Sequence, residues 1–260
     1  MKQYRFVLSG DEPRIPASCA YALYAWLLSQ MPEEVGDTLH QQGETPLSQY
    51  LYYDFDRKET IWVLSFLADW LAEIAQPVLS GLSCISLHSG ALRVSLISCR
   101  ETPSAPPLIE QARQAAECRY TTFQLLSPVS FRQHGRDVLF PQERLLLQSL
   151  IAKWNLTFPR YTLEDADAFQ ALETGIHIVD YRLRASRYRI KNTKIPGFSG
   201  IVTLESRLPA PLEEIWKLLV RFAPYCGIGI KTTLGMGGVS LLSKQNVANR
   251  VAGAVMNETV

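Results

Sequence analysis

What the chain lacks narrows it first. Among 260 residues there are five cysteines, an odd number, and no two stand in a Cys-x-x-Cys pair. That excludes a disulfide scaffold and a zinc ribbon, and fits a reduced, cytoplasmic protein. The four histidines, 40, 88, 134 and 177, are far apart and none sits in a metal-ligand motif. No metal and no cofactor is expected. Long apolar runs are missing too. The longest, Cys19 to Leu28, is about half of the roughly 20 residues a membrane span needs. The start, Met1-Lys2-Gln3-Tyr4-Arg5, has no apolar secretory core. A membrane or exported protein is therefore not expected. Charged residues are 20% and hydrophobic residues 47%, the balance of a folded chain.

The net charge of +1 hides an uneven split. Residues 1–118 carry 8 Lys and Arg against 14 Asp and Glu, a net of −6, and residues 119–260 carry 18 against 11, a net of +7. Such asymmetry points to a polyanion-binding surface on the second half, or to attraction between the halves.

The two halves share one rhythm of elements. In the first, a strand Gln3–Ser9 precedes a helix over about Ala17–Met31, and Pro32 to Pro46 reads as a polar loop. Strands Gln49–Phe55 and Thr60–Phe66, a helix Ala68–Leu79, and extended segments Ser83–His88 and Ala91–Cys99 follow. Residues 101–107 read as a linker, and Leu108–Cys118 as a bridging helix. In the second half a strand Thr121–Phe131 precedes a helix from Pro141, with Leu147, Leu150, Ile151 and Trp154 on one stripe. Strands Ile176–Arg184 and Ile201–Leu208, a helix Pro211–Ala223 and a strand Met236–Leu242 complete it. Each half reads as a βαββαβ, ferredoxin-like unit. The expected class is α+β, with modules 1–100 and 119–242, a linker and bridging helix at 101–118, and a tail at 243–260.

Two segments carry chemistry. In residues 227–238 five of twelve are glycine, namely Gly227, Gly229, Gly235, Gly237 and Gly238, around Lys231, Thr232 and Thr233. The run is neither a Walker loop nor a dinucleotide fingerprint, and it follows a helix, whose end repels phosphate. An anion there would be held by glycine-permitted backbone amides, the two hydroxyls and Lys231. One glycine is explained by a helix cap, but five are not. The second segment holds Arg182, Arg184, Arg187, Arg189, Lys191 and Lys194, with no acidic residue between them and with Tyr181 and Tyr188 nearby. On a strand, 182 and 184 share one face and 187, 189 and 191 the other, suggesting a bend or bulge near Ala185–Ser186. Repeated cations suit a phosphate backbone, and an aromatic can stack a base. A solvated, charge-protected edge strand would explain such a run in a generic chain, but beside the glycine segment it is the weaker reading.

RNA can be cut without metal, when a base deprotonates the 2′-hydroxyl and an acid assists the leaving 5′-oxygen. Histidine, with an ordinary pKa of about 6.5, serves either role. His40 lies just after the Tyr-rich helix, His88 and His134 are at turns, and His177 is in an apolar strand and reads as structural.

The run Phe222 to Val239, with Ser127–Arg132, the helix from Pro141 to Trp154-Asn155, and Gly197-Phe198-Ser199-Gly200, resembles the CRISPR-associated repeat-RNA processing endoribonucleases of the RAMP superfamily. The resemblance covers nearly all of residues 1–240. It implies two tandem ferredoxin-like domains around an RNA-binding cleft. It also implies metal-independent cleavage of precursor CRISPR RNA, leaving a 5′-hydroxyl and a 2′,3′-cyclic phosphate. It places the catalytic histidine at His40 and a catalytic tyrosine at Tyr24 or Tyr21. RNA contacts would fall to Arg132, the cations 182–194 and the glycine segment. The family's lysine shortly after the histidine has no counterpart before Lys58. Partners would be repeat RNA and, in one reading, a CRISPR interference complex, with the chain a monomer or homodimer. The alternatives are a non-cleaving repeat-RNA-binding subunit and a small-molecule nucleotide-binding module.

Overall fold

The computed structural model describes residues 1–41, 45–88, 90–102, 104–116 and 118–242; the side chains of 37, 38, 40 and 41 and the tail expected at 243–260 lie outside the described residues. The first half runs β1 (Lys2–Ser9), α1 (Cys19–Ser29), α2 (Glu33–Gln41), β2 (Leu47–Asp54), β3 (Glu59–Phe66), α3 (Asp69–Leu79), β4 (Cys84–Leu87) and β5 (Gly90–Glu101). Its sheet has the order β2-β3-β1-β5-β4, with antiparallel neighbours. This is the ferredoxin-like order, with the fourth strand drawn out into a hairpin. Alternation along β1 sets its two faces. Tyr4, Phe6 and Leu8 join Leu23 and Leu27 of α1 and Leu71, Ala75 and Leu79 of α3 in one core. Gln3 and Val7 face the other way.

After α4 (Ala105–Gln114) come β6 (Tyr120–Val129), a small hairpin β7 (Phe131–Gln133) and β8 (Arg136–Val138), and α5 (Glu143–Thr157). Then follow α6 (Ala166–Gly175), β9 (Ile176–Ile190), β10 (Thr193–Ser206), α7 (Ala210–Cys226), a 3-10 turn Thr232–Leu234 and β11 (Val239–Leu241). The second sheet has the order β11-β6-β10-β9, the same topology again. Its core is built on Trp154, Trp216, Phe123 and Phe222. Helix α4 contributes Ala105, Leu108 and Ala112 to that core, so the bridging helix packs on the second module.

Four expectations need correction. The loop expected over Pro32–Pro46 contains α2. Val35 and Leu39, four residues apart, bury one stripe while Glu33 and Glu34 favour its N-terminus. Helix α6 is not expected from the sequence because only Leu172 of it is fully buried, leaving little periodicity; Asp165 caps it by accepting from the Ala168 amide at 2.8 Å. Strands β9 and β10 are longer than expected, because their distal halves are polar and carry Pro196, Gly197 and Gly200 and so read as loop. Their register is unbroken from Ile190–Thr193 to Asp180–Thr203. The register holds no bulge at Ala185–Ser186; the irregularity lies between Ile178 and Asp180, opposite Leu204 and Thr203.

Candidate RNA-processing site

The β9–β10 ribbon decides where the site is. Its far end reaches the start of α1 in the other module. Tyr188 is buried, and its hydroxyl lies within hydrogen-bonding distance of the Ala17 carbonyl at 3.0 Å and the Leu234 carbonyl at 2.8 Å. Ile190, Ile195, Met236 and Ala17 pack around it. Burial, and then the neighbouring Cys19, push the Tyr188 hydroxyl well above the ordinary tyrosine range, so it stays a neutral donor. Tyr188 is thus a strut between modules rather than a surface for bases.

Three residues further on, Lys191 turns the ribbon with a left-handed backbone, φ 51°. Its Nζ stands 5.7 Å from the centre of the Tyr21 ring on α1, within cation–π range. Tyr24, one helical turn on, is half-buried against the first core. Burial raises its pKa, and a hydrogen bond with Thr45 pulls the other way. The net rise keeps the hydroxyl protonated at neutral pH, a donor and not a base. His40 belongs to the last turn of α2, not to a loop. Its side chain lies outside the described residues, as do Gln42 and Gly43 beside it.

The glycine segment behaves differently from the expectation. Gly227, Gly229, Gly235 and Gly237 are buried. The amides of Gly227, Gly229 and Gly237 donate to the Ala223 carbonyl, Ser149 Oγ and the Pro128 carbonyl. Those three amides are spent on protein acceptors, so the phosphate cradle expected from the sequence is corrected there. The glycines serve close packing. A Cβ on Gly235, φ 106°, would collide with the Tyr188 hydroxyl and the Ala20 methyl, and one on Gly238 with the Tyr50 ring. The contacts with Ala20 and Tyr50 join the second module to the first. Of the polar members, Lys231 is exposed with φ 57°, Thr232 is buried and Thr233 is half-buried.

Two side chains invisible to motif reading hold this segment. Gln49 Nε2 donates to the Ala20 carbonyl at 2.6 Å and the Thr233 carbonyl at 3.0 Å, while its Oε1 accepts from Trp62 Nε1 at 2.8 Å. Lys153 Nζ donates to the carbonyls of Gly227 at 3.0 Å and Gly229 at 2.9 Å. Their partners are distant in sequence, so no local signal could have found them.

Arg182, Arg184, Arg187, Arg189, Lys191 and Lys194 are all exposed. By alternation Arg182 and Arg184 share the Tyr188 face, towards the first module, and Arg187 and Arg189 take the opposite face. Arg184 donates to Ser199 Oγ at 3.3 Å. Both line a cavity of about 320 Å³ between the sheets, with Arg14, Tyr52, Tyr53 and Ser186 also on its wall. Arg14 lies over the rings of Tyr53 at 5.1 Å and Phe55 at 5.4 Å. Ser186 Oγ is buried without a hydrogen-bond partner among the described residues. Arg132 is paired with Asp137 at 3.0 Å across the β7–β8 hairpin, so its charge is partly committed. His88 and His177 are exposed, which corrects the structural role read for His177.

Among the described residues no cluster of three His, Cys, Asp or Glu side chains is placed to hold a metal, and no helix is long and apolar enough to cross a membrane.

The chain is similar along most of its length to known proteins of one family. The pattern of the family described as CRISPR-associated endoribonuclease Cas6 matches residues 123–239. A CRISPR-associated endoribonuclease Cas6 of Streptococcus thermophilus is 28% identical over 228 residues, covering 87% of this chain and 93% of that protein. One from Mycobacterium tuberculosis is 26% identical over 227 residues, covering 84% and 69%. The structure of Thermus thermophilus Cas6 superposes with a TM-score of 0.70 at 26% identity, covering 93% of this chain and 98% of that one.

Proposed function

Because this chain belongs to the Cas6 family of CRISPR-associated endoribonucleases, we propose that it cleaves CRISPR repeat RNA by attack of the 2′-hydroxyl on the adjacent phosphodiester. The products would be a 5′-hydroxyl and a 2′,3′-cyclic phosphate, and no metal would be required. His40 acts as general base or acid. Tyr24, held neutral by burial, donates a hydrogen bond to the reacting phosphate. The modules are residues 1–100 and 119–242, joined by 101–118.

The observation that carries this reading is the meeting of two elements. A ribbon bearing Arg182, Arg184, Arg187, Arg189 and Lys191 ends against α1, with Lys191 over Tyr21. Charge that grips a phosphate backbone is thereby delivered to the helix of the candidate tyrosines. It also bears on the missing lysine after His40. Lys191 supplies, from the second module, the cation that stabilises the transition-state phosphorane. Lys231 and the cations 182–194 position the strand. The RNA itself is chosen mainly by shape and by a few base contacts. The chain works in the cytoplasm, as a monomer or homodimer, and hands its product to an interference complex.

The absence of a lysine near His40 also favours one second reading, a subunit that binds repeat RNA without cutting it. A single assay separates the two. Labelled repeat RNA is incubated with the protein in EDTA and the ends are mapped. Cleavage to cyclic phosphate ends, lost in His40→Ala with binding retained, supports the nuclease. Tight binding with no cut supports the second reading. Unchanged cutting by His40→Ala removes that residue from the mechanism, and a requirement for Mg²⁺ refutes the mechanism as a whole.

A further inference from the structure

The outer face of the β9–β10 ribbon carries a feature that the catalytic reading does not use. Leu183 packs on the second core, so Tyr181, two residues earlier on the same strand, points to the helix side of the sheet. There it meets Phe140, in the connection between β8 and α5. The ring centres are 5.1 Å apart and the planes 86° to each other. Both rings are open to solvent, Phe140 by 46% and Tyr181 by 53%, and Leu139 beside them is 51% exposed. A T-shaped pair fixes the two rings against each other but leaves ring faces free.

Charge argues for what covers it. Continuing along the strand from Tyr181, the same face presents Arg187 and Arg189, both exposed. No acidic residue intervenes before Lys194. Nearby carboxylates are engaged or turned away. Asp137 is paired with Arg132, Glu143 accepts from the Ile178 amide at 2.8 Å, and Asp180 projects from the opposite face to Tyr181. Exposed aromatics on the same strand face as two arginines, separated from them by Leu183 and Ala185, are a combination that takes a nucleic acid strand, with rings under bases and guanidinium groups on phosphates.

We propose that Phe140 and Tyr181 form a stacking platform for an unpaired base of the RNA, on the helix-side face of the ribbon and outside the cleft between the two sheets. The proposal rests on the RNA-binding reading above. It adds a second anchoring point, which holds a single-stranded part of the transcript while Lys191 and α1 face the scissile phosphate. Because the platform stacks and makes no phosphate contact, it contributes affinity with little salt dependence.

The test uses the full chain and two RNAs, one a repeat hairpin with unpaired flanks containing 2-aminopurine and one the hairpin alone. On the flanked RNA, the Phe140→Ala, Tyr181→Ala double variant should bind about tenfold or more weakly than the unaltered protein. The salt slope should be unchanged. The 2-aminopurine quenching seen with the unaltered protein should disappear. Affinity for the hairpin alone should stay the same, and Phe140→Trp with Tyr181→Phe should keep both binding and quenching. If the double variant binds and quenches as the unaltered protein does, the platform is refuted while the RNA reading stands. If the unaltered protein binds neither RNA, both fall. A double variant that loses only self-association marks the patch as a protein contact and also refutes the platform.

Discussion

The Lys191 ammonium lies 5.7 Å from the centre of the Tyr21 ring, so a turn of the second module caps the first helix of the other. The contact depends on the unusual length of the β9–β10 ribbon and on the left-handed residue at its tip. If the lysine supplies the transition-state cation, Lys191→Ala should lower the single-turnover cleavage rate by about 10²–10³-fold. The RNA dissociation constant should rise far less. Lys191→Arg should recover a good part of the rate. Equal losses in binding and rate would assign Lys191 to phosphate gripping alone.

Tyr188→Phe removes a hydroxyl that serves the carbonyls of Ala17 and Leu234 and keeps the ring. The expected cost is about 1–2 kcal/mol, the usual value for a buried hydrogen bond lost with its acceptors left in place. Urea unfolding measures it. A change below about 0.3 kcal/mol would mean that water replaces the hydroxyl there, on the same scale.

Gly235→Ala tests the close approach between modules. The backbone conformation, φ 106°, disfavours any side chain, and the added methyl meets Tyr188 and Ala20. Strain of about 1–3 kcal/mol is expected from the backbone alone, with steric displacement in addition. Cleavage should fall with stability, because Tyr188 and Lys191 share the displaced ribbon. Gly36→Ala is the control, since among the described residues nothing beyond its own helix backbone and chain neighbours lies within 4 Å of the place its methyl would take. It should leave both properties nearly unchanged.

Alkaline pH should destabilise the fold. Burial raises the hydroxyls of Tyr188 and Tyr50 and pushes the Cys226 thiol up to about 12 from 9.0. Each group then holds its proton longer in the folded than in the unfolded chain. Their contribution is complete below the unfolded values and is lost as pH rises through the folded ones. For Cys226 the window runs from pH 9.0 to about 12, and for the tyrosines it opens near pH 10. The urea midpoint should therefore fall steadily above pH 9 to 10. Cys226→Ala should flatten the first part of that fall, even though the variant is less stable throughout.

The same burial makes Cys226 inert to thiol reagents in the folded protein, whereas Cys84, Cys99 and Cys118 are exposed. Thiol titration under native conditions should find those three first and Cys19 more slowly. Cys226 should appear only on unfolding. Fast labelling of Cys226 would mean that α7 and the glycine segment open readily.

Part of the architecture is legible in the chain itself. The stripe Leu147, Leu150 and Trp154 marks α5, and the alternation of Tyr4, Phe6 and Leu8 with Gln3, Arg5 and Ser9, broken only by Val7, marks β1. Patterns of this kind are local, because burying one face of an element needs only the right residue every second or every third to fourth position. Helix α2 escapes such reading because its stripe is two residues long, and α6 because it buries only Leu172.

The sequence alone determined the repeated βαββαβ order, the opposite charge of the halves and the presence of a cationic run, since each of these is a property of composition and spacing. Tertiary structure alone decided what those residues touch. It set Lys191 over Tyr21, spent the glycine amides on protein acceptors and turned Tyr188 inwards as a strut while Tyr181 met Phe140 outside. The physical reason is that contacts between elements far apart in the chain, such as Tyr188 with Ala17 at a separation of 171 residues, depend on how two sheets face each other. That packing is fixed by the sum of many weak burials, and no short stretch of chain encodes it.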